Sequence, residues 1–136
     1  MSSDFNMLRQ FVKPKVEEDP NGLANHIPGA KADAGKVRMA LMKAGFARAL
    51  YAVAEITTHG AKKYTPGGWK HVPGGYERYA DAQERHQNYH DRGERVDPDF
   101  NCYHLAHEAW NSLAKLELFL MEQESRANDP DRTTPV

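Results

Sequence analysis

Helical spacing is the strongest constraint on this chain, and the lack of any strand-like alternation reinforces it. Phe46, Leu50, Val53 and Thr57 fall at i, i+4, i+7 and i+11, with Ala47, Ala49, Ala52 and Ala54 between them. That period predicts an amphipathic helix, and His59-Gly60 predicts its end, with glycine as the C′ residue. A second helix is predicted from about Gly75 to Arg92, stopped by Gly93, with Tyr76, Tyr79, Ala80, Gln83, His86 and His90 on a weakly apolar face. A third is predicted from about Asn101 to Ser125, with Asn101 or Asp99 as its N-cap. Its expected core stripe is Ala106, Ala109, Leu113, Leu116 and Leu120. A shorter helix falls near Lys36–Lys43. Val, Ile and Thr never alternate over a run, and no turn dipeptide separates two candidate strands. The expected fold is therefore all-α, a bundle of about four helices.

The helical segments sit in the middle of the chain. Residues 1–28 carry Pro14, Pro20, Pro28 and Asn21-Gly22, with Phe5, Met7, Leu8, Phe11 and Val12 as the apolar cluster, and read as an N-terminal arm. Residues 125–136 are polar and punctuated by Pro130 and Pro135, and read as a tail. The 29–124 region is then one domain. Tyr64–Val72 is expected to be a loop, shaped by Pro66 and Gly67-Gly68.

Composition narrows the functional classes. With 18 Lys plus Arg against 19 Asp plus Glu, the formal net charge is −1, which argues against a long nucleic acid or an anionic membrane as partner. The acids concentrate on residues 77–108 and the bases on residues 31–85, so a small charged ligand such as a nucleotide stays compatible. The single Cys102 excludes an internal disulfide framework and a Cys-based zinc knuckle. No stretch reaches the length of a membrane span, and Met1–Asp19 lacks a signal-peptide core. The expected location is a reducing cytoplasm. Of the seven His, five lie between His71 and His107, which is suggestive of a ligand site.

Four constellations could carry chemistry. On the third helix, His104, His107, Glu108 and Asn111 share one face, opposite the leucines. Two imidazoles, a carboxylate and a carboxamide match metal and phosphate contacts better than simple solubilisation. On the second helix, Glu77, Asp81, Glu84 and Asn88 form an acidic column, which either Arg78 and Arg85 or a divalent cation would relieve. A solvated, salt-bridged face is the alternative. The connection carries Asp91, Glu94, Asp97 and Asp99 but is no EF-hand. Finally, Lys31, Lys36, Arg38 and Lys63 offer counter-charges to a polyphosphate, while Tyr64 and Trp69 could stack on a base or pin their loop. Gly29–Lys36 is not a P-loop, because no strand precedes it and Val37 stands where the metal-binding hydroxyl belongs.

These residues resemble a known family. Lys31-Ala32-Asp33-Ala34-Gly35-Lys36-Val37-Arg38, Gly60-Ala61-Lys62-Lys63-Tyr64 and Trp69 look like the first half of the phage-type dATP/dGTP diphosphohydrolases, which are related to MazG. Tyr79-Ala80-Asp81-Ala82, Arg85-His86, Gly93-Glu94, Asp97, His104-Leu105-Ala106-His107 and Asn111 look like the second half, and the resemblance covers about residues 29–121. It implies an all-α, MazG-like helix bundle assembled as a homo-oligomer, a dimer or tetramer, with sites near subunit interfaces. It further implies Mg2+- or Mn2+-dependent cleavage of a deoxynucleoside triphosphate between the α- and β-phosphates. Within the family the implied role is conversion of dGTP, and of dATP as a possible further substrate, with dGMP feeding 2-aminoadenine nucleotide synthesis in a phage. The chain departs from the ExxE and ExxD motifs of standard MazG enzymes, carrying Asp81-x-x-Glu84 and Glu108-x-x-Asn111 instead.

Three groups of residues follow as expected site residues. Metal ligands are sought among Asp81, Glu84, Glu94, Asp97 and Glu108, and Asp81, Glu94, His86 and His107 are the expected catalytic groups. Substrate contacts are expected from Lys31, Asp33, Lys36, Arg38, Lys63, Tyr64, Trp69, Arg85, His104 and Asn111. An HD-type triphosphohydrolase and a non-enzymatic helical interaction protein are the competing readings; His90-Asp91 is the one adjacent His-Asp pair for the former.

Overall fold

A computed structural model describes residues 17–129 and 131. The apolar cluster Phe5, Met7, Leu8, Phe11 and Val12 and the last five residues of the tail lie outside the described residues. Four α-helices follow in chain order among the described residues: α1 (Met39–Gly45), α2 (Ala47–Lys63), α3 (Gly75–Asp91) and α4 (His104–Ala127). A 3-10 turn at Gly68–His71 sits between α2 and α3. The expected all-α class holds, with one addition. Val96–Asp97 (β1) and Cys102–Tyr103 (β2) pair antiparallel, Val96 with Tyr103 and Asp97 with Cys102. A two-residue ladder is too short to leave any alternation in the sequence.

Ahead of α1, Asp19 organises the chain. Its carboxylate accepts backbone N–H bonds from Asn21 (2.7 Å), Leu23 (3.4 Å) and Lys31 (2.8 Å). Those bonds, the one from Lys31 above all, hold its carboxyl below the usual range, against a desolvation that works the other way.

Two helix ends differ from the expected ones. Gly60 lies inside α2, because the Tyr64 N–H still donates to its carbonyl at 2.9 Å. The helix stops where Thr65 meets Pro66, a junction that disfavours helical backbone, and Gly67 turns the chain at φ 72°. At the start of α4 neither Asp99 nor Asn101 caps. The N-cap is Tyr103, because β2 intervenes, and Asn101 adopts φ 54° in the turn before it. The end of α3 matches expectation. Gly93 at φ 98° donates to His90 O, and Glu94 donates to Tyr89 O, a Schellman closure that a side chain at Gly93 would strain.

The helices pack as an antiparallel α3/α4 pair with α2 in contact with α4. Along the pair, Gly75 meets Leu118, Gln83 meets Lys115 and His86 meets His104. The core is small: Ile56, Cys102 and Ala106, with Ala52, Phe100 and Trp110 against them. Trp110 Nε1 donates to Thr57 Oγ1 at 3.1 Å and ties α4 to α2.

The orientation of α4 keeps Ala106 of the expected stripe inside but turns most of the stripe outward. Its buried residues are His104, Ala106, His107, Asn111 and Ala114. Leu113 and Leu116 of the expected core stripe are 45% and 52% exposed, and Ala109 is exposed as well. The physical reason is the partner surface: α3 presents His86 and Tyr79 to α4, and imidazoles and small residues fit that surface while Leu113 and Leu116 point away.

Candidate functional site

The site forms where the inner faces of α3 and α4 meet the β1–β2 hairpin. Asp97 is placed by the hairpin. Its Oδ1 accepts the Asp99 N–H at 3.0 Å and its carbonyl accepts the Asn101 N–H at 2.8 Å, so the turn holds the carboxylate in place. Oδ2 is left 3.1 Å from His107 Nε2. Helical spacing does the rest: His104 and His107 share the inner face of α4, and His86 faces them from α3.

The imidazoles are packed closely. The rings of His86 and His107 stack with centroids 4.2 Å apart and 5° between planes. Phe100 stacks on the other side of His107 at 5.5 Å, and His59 stacks on Phe100 at 5.3 Å. His86 Nδ1 and His104 Nδ1 are 2.8 Å apart. His104 and His107 are 2% and 5% exposed, and their buried Nε2 atoms each face one carboxylate, Glu94 at 3.5 Å and Asp97 at 3.1 Å, outside hydrogen-bond geometry. Burial, reinforced by His107 and His104, pushes His86 down to about 4. Burial also pushes His107 down, against the pull of Asp97. Both rings are therefore neutral near pH 7, the form that can donate a lone pair to a metal ion.

His86, Asp97 and His107 each bring one ligand atom within 4.8 Å of the other two. Among the described residues this is the group of three or more His, Cys, Asp or Glu side chains that satisfies that geometry. Two imidazoles and one carboxylate, with the buried His107 Nε2 not committed to a hydrogen bond, are a donor set that fits a divalent transition ion.

The triad lies at one side of a cleft of about 810 Å³. Lys63, Arg78 and Arg85 line the same cleft and supply positive charge, and Asp81 lines it between the two arginines. An aromatic cluster forms another wall. Trp69, Tyr79 and Trp110 meet edge to face, with centroids 5.4–6.3 Å apart. Tyr79 Oη donates to Trp69 O at 2.7 Å and fixes the loop, while burial pushes the phenol up. Gly68 keeps that loop tight, since a Cβ there would collide with Thr65 Oγ1.

The structure brings some of the expected residues to the cleft and leaves others away from it. Lys63, Tyr64, Trp69, Asp81, Arg85, His86, Asp97, His107 and Asn111 line it. Asn111 donates its amide N–H to the His107 carbonyl at 2.8 Å. His104 lies behind His86, with Glu94 Oε1 3.5 Å from its Nε2. Glu84 is exposed on α3 and Glu108 is half-buried on α4, and neither lines the cleft. Lys31, Asp33, Lys36 and Arg38 belong to the segment before α1, and none of them lines it. There Lys36 pairs with Glu17 at 3.4 Å. His90, of the adjacent His-Asp pair, bonds Arg95 outside the cluster.

Among the cleft residues, Arg78, Tyr79, Phe100 and Trp110 are not in the set of site residues expected from sequence. Arg78, Asp81 and Arg85 share one helical face at i, i+3 and i+7, so the column that reaches the cleft is one residue around from the acidic column Glu77, Asp81, Glu84 and Asn88. Trp110 stands three residues beyond His107, on a neighbouring row of the same helix. Phe100 has no signal in the sequence, because a turn residue has no periodicity.

Comparison with known proteins gives the family. The family model described as "dATP/dGTP diphosphohydrolase, N-terminal" matches residues 26–128, which include every cleft residue. No curated protein and no solved structure matches the chain. The chain belongs to the dATP/dGTP diphosphohydrolase family and is, at that level, a nucleotide diphosphohydrolase. No helix among the described residues is long and apolar enough to cross a membrane.

Proposed function

We propose that this protein hydrolyses a purine deoxynucleoside triphosphate between the α- and β-phosphates, releasing the monophosphate and pyrophosphate. The observation that carries the reading is the cleft itself, which sets a His86–Asp97–His107 donor set beside three cations and an aromatic wall. His86, Asp97 and His107 would hold a divalent ion, which would supply positive charge against the phosphates and lower the pKa of a bound water. Of Mg2+ and Mn2+, Mn2+ suits two imidazole donors better, since Mg2+ favours an all-oxygen octahedron.

The chain's own residues take the remaining roles. Asp81 orients the attacking water and accepts its proton as the water oxygen bonds to the α-phosphorus. The bond from that phosphorus to the α,β-bridging oxygen breaks, and pyrophosphate leaves. Lys63, Arg78 and Arg85 neutralise the triphosphate and the leaving group. The base lies against Trp69 and Tyr64 at the aromatic wall. Asn111 offers its remaining carbonyl oxygen toward the ligand. The family resemblance supports dGTP as a substrate, dATP as a second, and supply of dGMP for 2-aminoadenine nucleotides in a phage.

The exposed leucine face of α4, the exposed Met39 and Met42 of α1 and the exposed Phe46 just after it support self-association, as a dimer or tetramer. A cytoplasmic site of action follows from the substrate.

Turnover of all eight NTPs and dNTPs with Mn2+, with products separated by chromatography, tests the reading. A deoxynucleoside monophosphate plus pyrophosphate is expected. The imidazole-rich donor set is the one observation that favours an HD-type triphosphohydrolase, and deoxynucleoside plus triphosphate would establish that reaction instead. Asp81→Ala should abolish turnover while leaving the helical circular dichroism intact; a fully active Asp81→Ala protein would remove Asp81 from the mechanism.

A further inference from the structure

Behind the metal-binding triad lies a second pair of groups that does not line the cleft. His104 sits between His86 and Glu94: its Nδ1 is 2.8 Å from His86 Nδ1, and its Nε2 is 3.5 Å from Glu94 Oε1. A bond between two imidazole nitrogens holds one proton, so one ring donates and the other accepts. The surroundings choose which. If His104 donated from Nδ1 as a neutral ring, its buried Nε2 would point a lone pair at a carboxylate. With the proton on Nε2, His104 faces Glu94 with an N–H and receives the Nδ1–H of His86. The Nε2 atom of His86 is then the one that keeps a free lone pair. The rings of His86 and Tyr89, with centroids 5.1 Å and 5.2 Å away, hold His104 in place.

We propose that His104, oriented by Glu94, is a positioning residue that fixes His86 as its Nδ1–H tautomer and so presents Nε2 as the ligand atom for a divalent transition ion. The inference rests on the metal reading given above for His86, Asp97 and His107. Metal-binding imidazoles commonly donate their other N–H directly to a carboxylate or carbonyl. Here a second imidazole carries that link from Glu94 to His86.

Two measurements on the full chain test it. In the metal-free protein, imidazole 15N shifts report each tautomer. His86 should carry its proton on Nδ1 and His104 on Nε2, and the reverse assignment would overturn the proposal. Co2+ titration, followed by calorimetry and visible absorption, should show binding lost in His86→Ala. In His104→Phe, affinity should fall roughly 10–100-fold with an altered Co2+ spectrum. His104→Asn, which keeps an acceptor near the Nδ1 position, should recover part of that loss. Wild-type affinity and spectrum in His104→Phe would overturn the positioning role while leaving the metal site standing. Complete loss in both His104→Phe and a folded His104→Asn would make His104 a ligand and overturn it too. Wild-type binding by His86→Ala would instead remove the metal reading itself. Should His104→Phe fail to fold, Glu94→Ala gives the same decision: an unchanged His104 tautomer and unchanged Co2+ affinity would overturn the proposal.

Discussion

The two faces of α4 carry opposite chemistry in the wrong places for an ordinary monomeric helix. The inner face buries His104, His107 and Asn111 against α3, while Leu105, Leu113, Leu116 and Phe119 are exposed. A helix optimised only for folding would bury the leucines, since each buried leucine is worth about 1.5–3 kcal/mol and a buried unpaired nitrogen costs about 1–3 kcal/mol. The inner face is therefore given over to a site, and the outer face is left for something else to cover.

The largest effect should come from breaking the inner face. Asp97→Ala should lower kcat by roughly 10²–10³-fold, as loss of one preorganised charged group does, in a steady-state dNTP assay. His107→Leu should be as inactive yet hold or raise the melting temperature of the metal-free protein, because a buried nitrogen that makes no hydrogen bond in good geometry is replaced by packing. A marked fall in melting temperature would mean that the imidazole is structural.

Next in size is the apolar part of the interior. Ile56→Ala should cost about 2–5 kcal/mol in denaturant unfolding, since Ile56 is 5% exposed at the centre of the small core. The outer face sharpens the contrast. Leu113→Glu with Leu116→Glu should change monomer stability little, yet lower the mass measured by light scattering if a second copy covers that face. An unchanged mass would mean that these leucines are not the interface.

Acid tests the inner face more gently. Folded His86 titrates at about 4 against an ordinary 6.5, so between those values the unfolded chain binds the extra proton. Stability of the metal-free protein is therefore full above about pH 6.5 and falls as pH drops toward 4, with His107 adding in the same direction. Thermal unfolding in chelator across that window should show the slope, and His86→Leu should flatten it. The smallest effect is expected at the α2–α4 tie: Thr57→Val removes the acceptor of Trp110 Nε1 and should cost on the order of 1 kcal/mol in denaturant unfolding.

Several elements are legible in the chain's residues alone. The Gly93 stop is one, because a Schellman closure needs a left-handed residue and glycine stands there. The proximity of His104 and His107 on one face is another, since it follows from helical spacing. Gly60 signals a stop that the structure does not make, because glycine is tolerated inside a helix when the next turn still closes its hydrogen bonds. The carboxylates of the site are only partly legible. A count of acids cannot separate Asp97, which a turn aims at His107, from Glu84 and Glu108, which lie off the cleft.

By itself the sequence determined the all-α class, the order of the helices, and the stock of imidazoles, acids and cations the site draws on. Periodicity and stop residues act locally, over a few turns of chain, so they can be read without knowing what packs where. Only the tertiary structure decided which face of α4 is inside, that a two-residue ladder delivers Asp97 to His86 and His107, and that Arg78 rather than Lys31 or Lys36 reaches the cleft. Those outcomes depend on contacts between segments far apart in the chain, and the pairing of surfaces, not the pattern of any one helix, sets them.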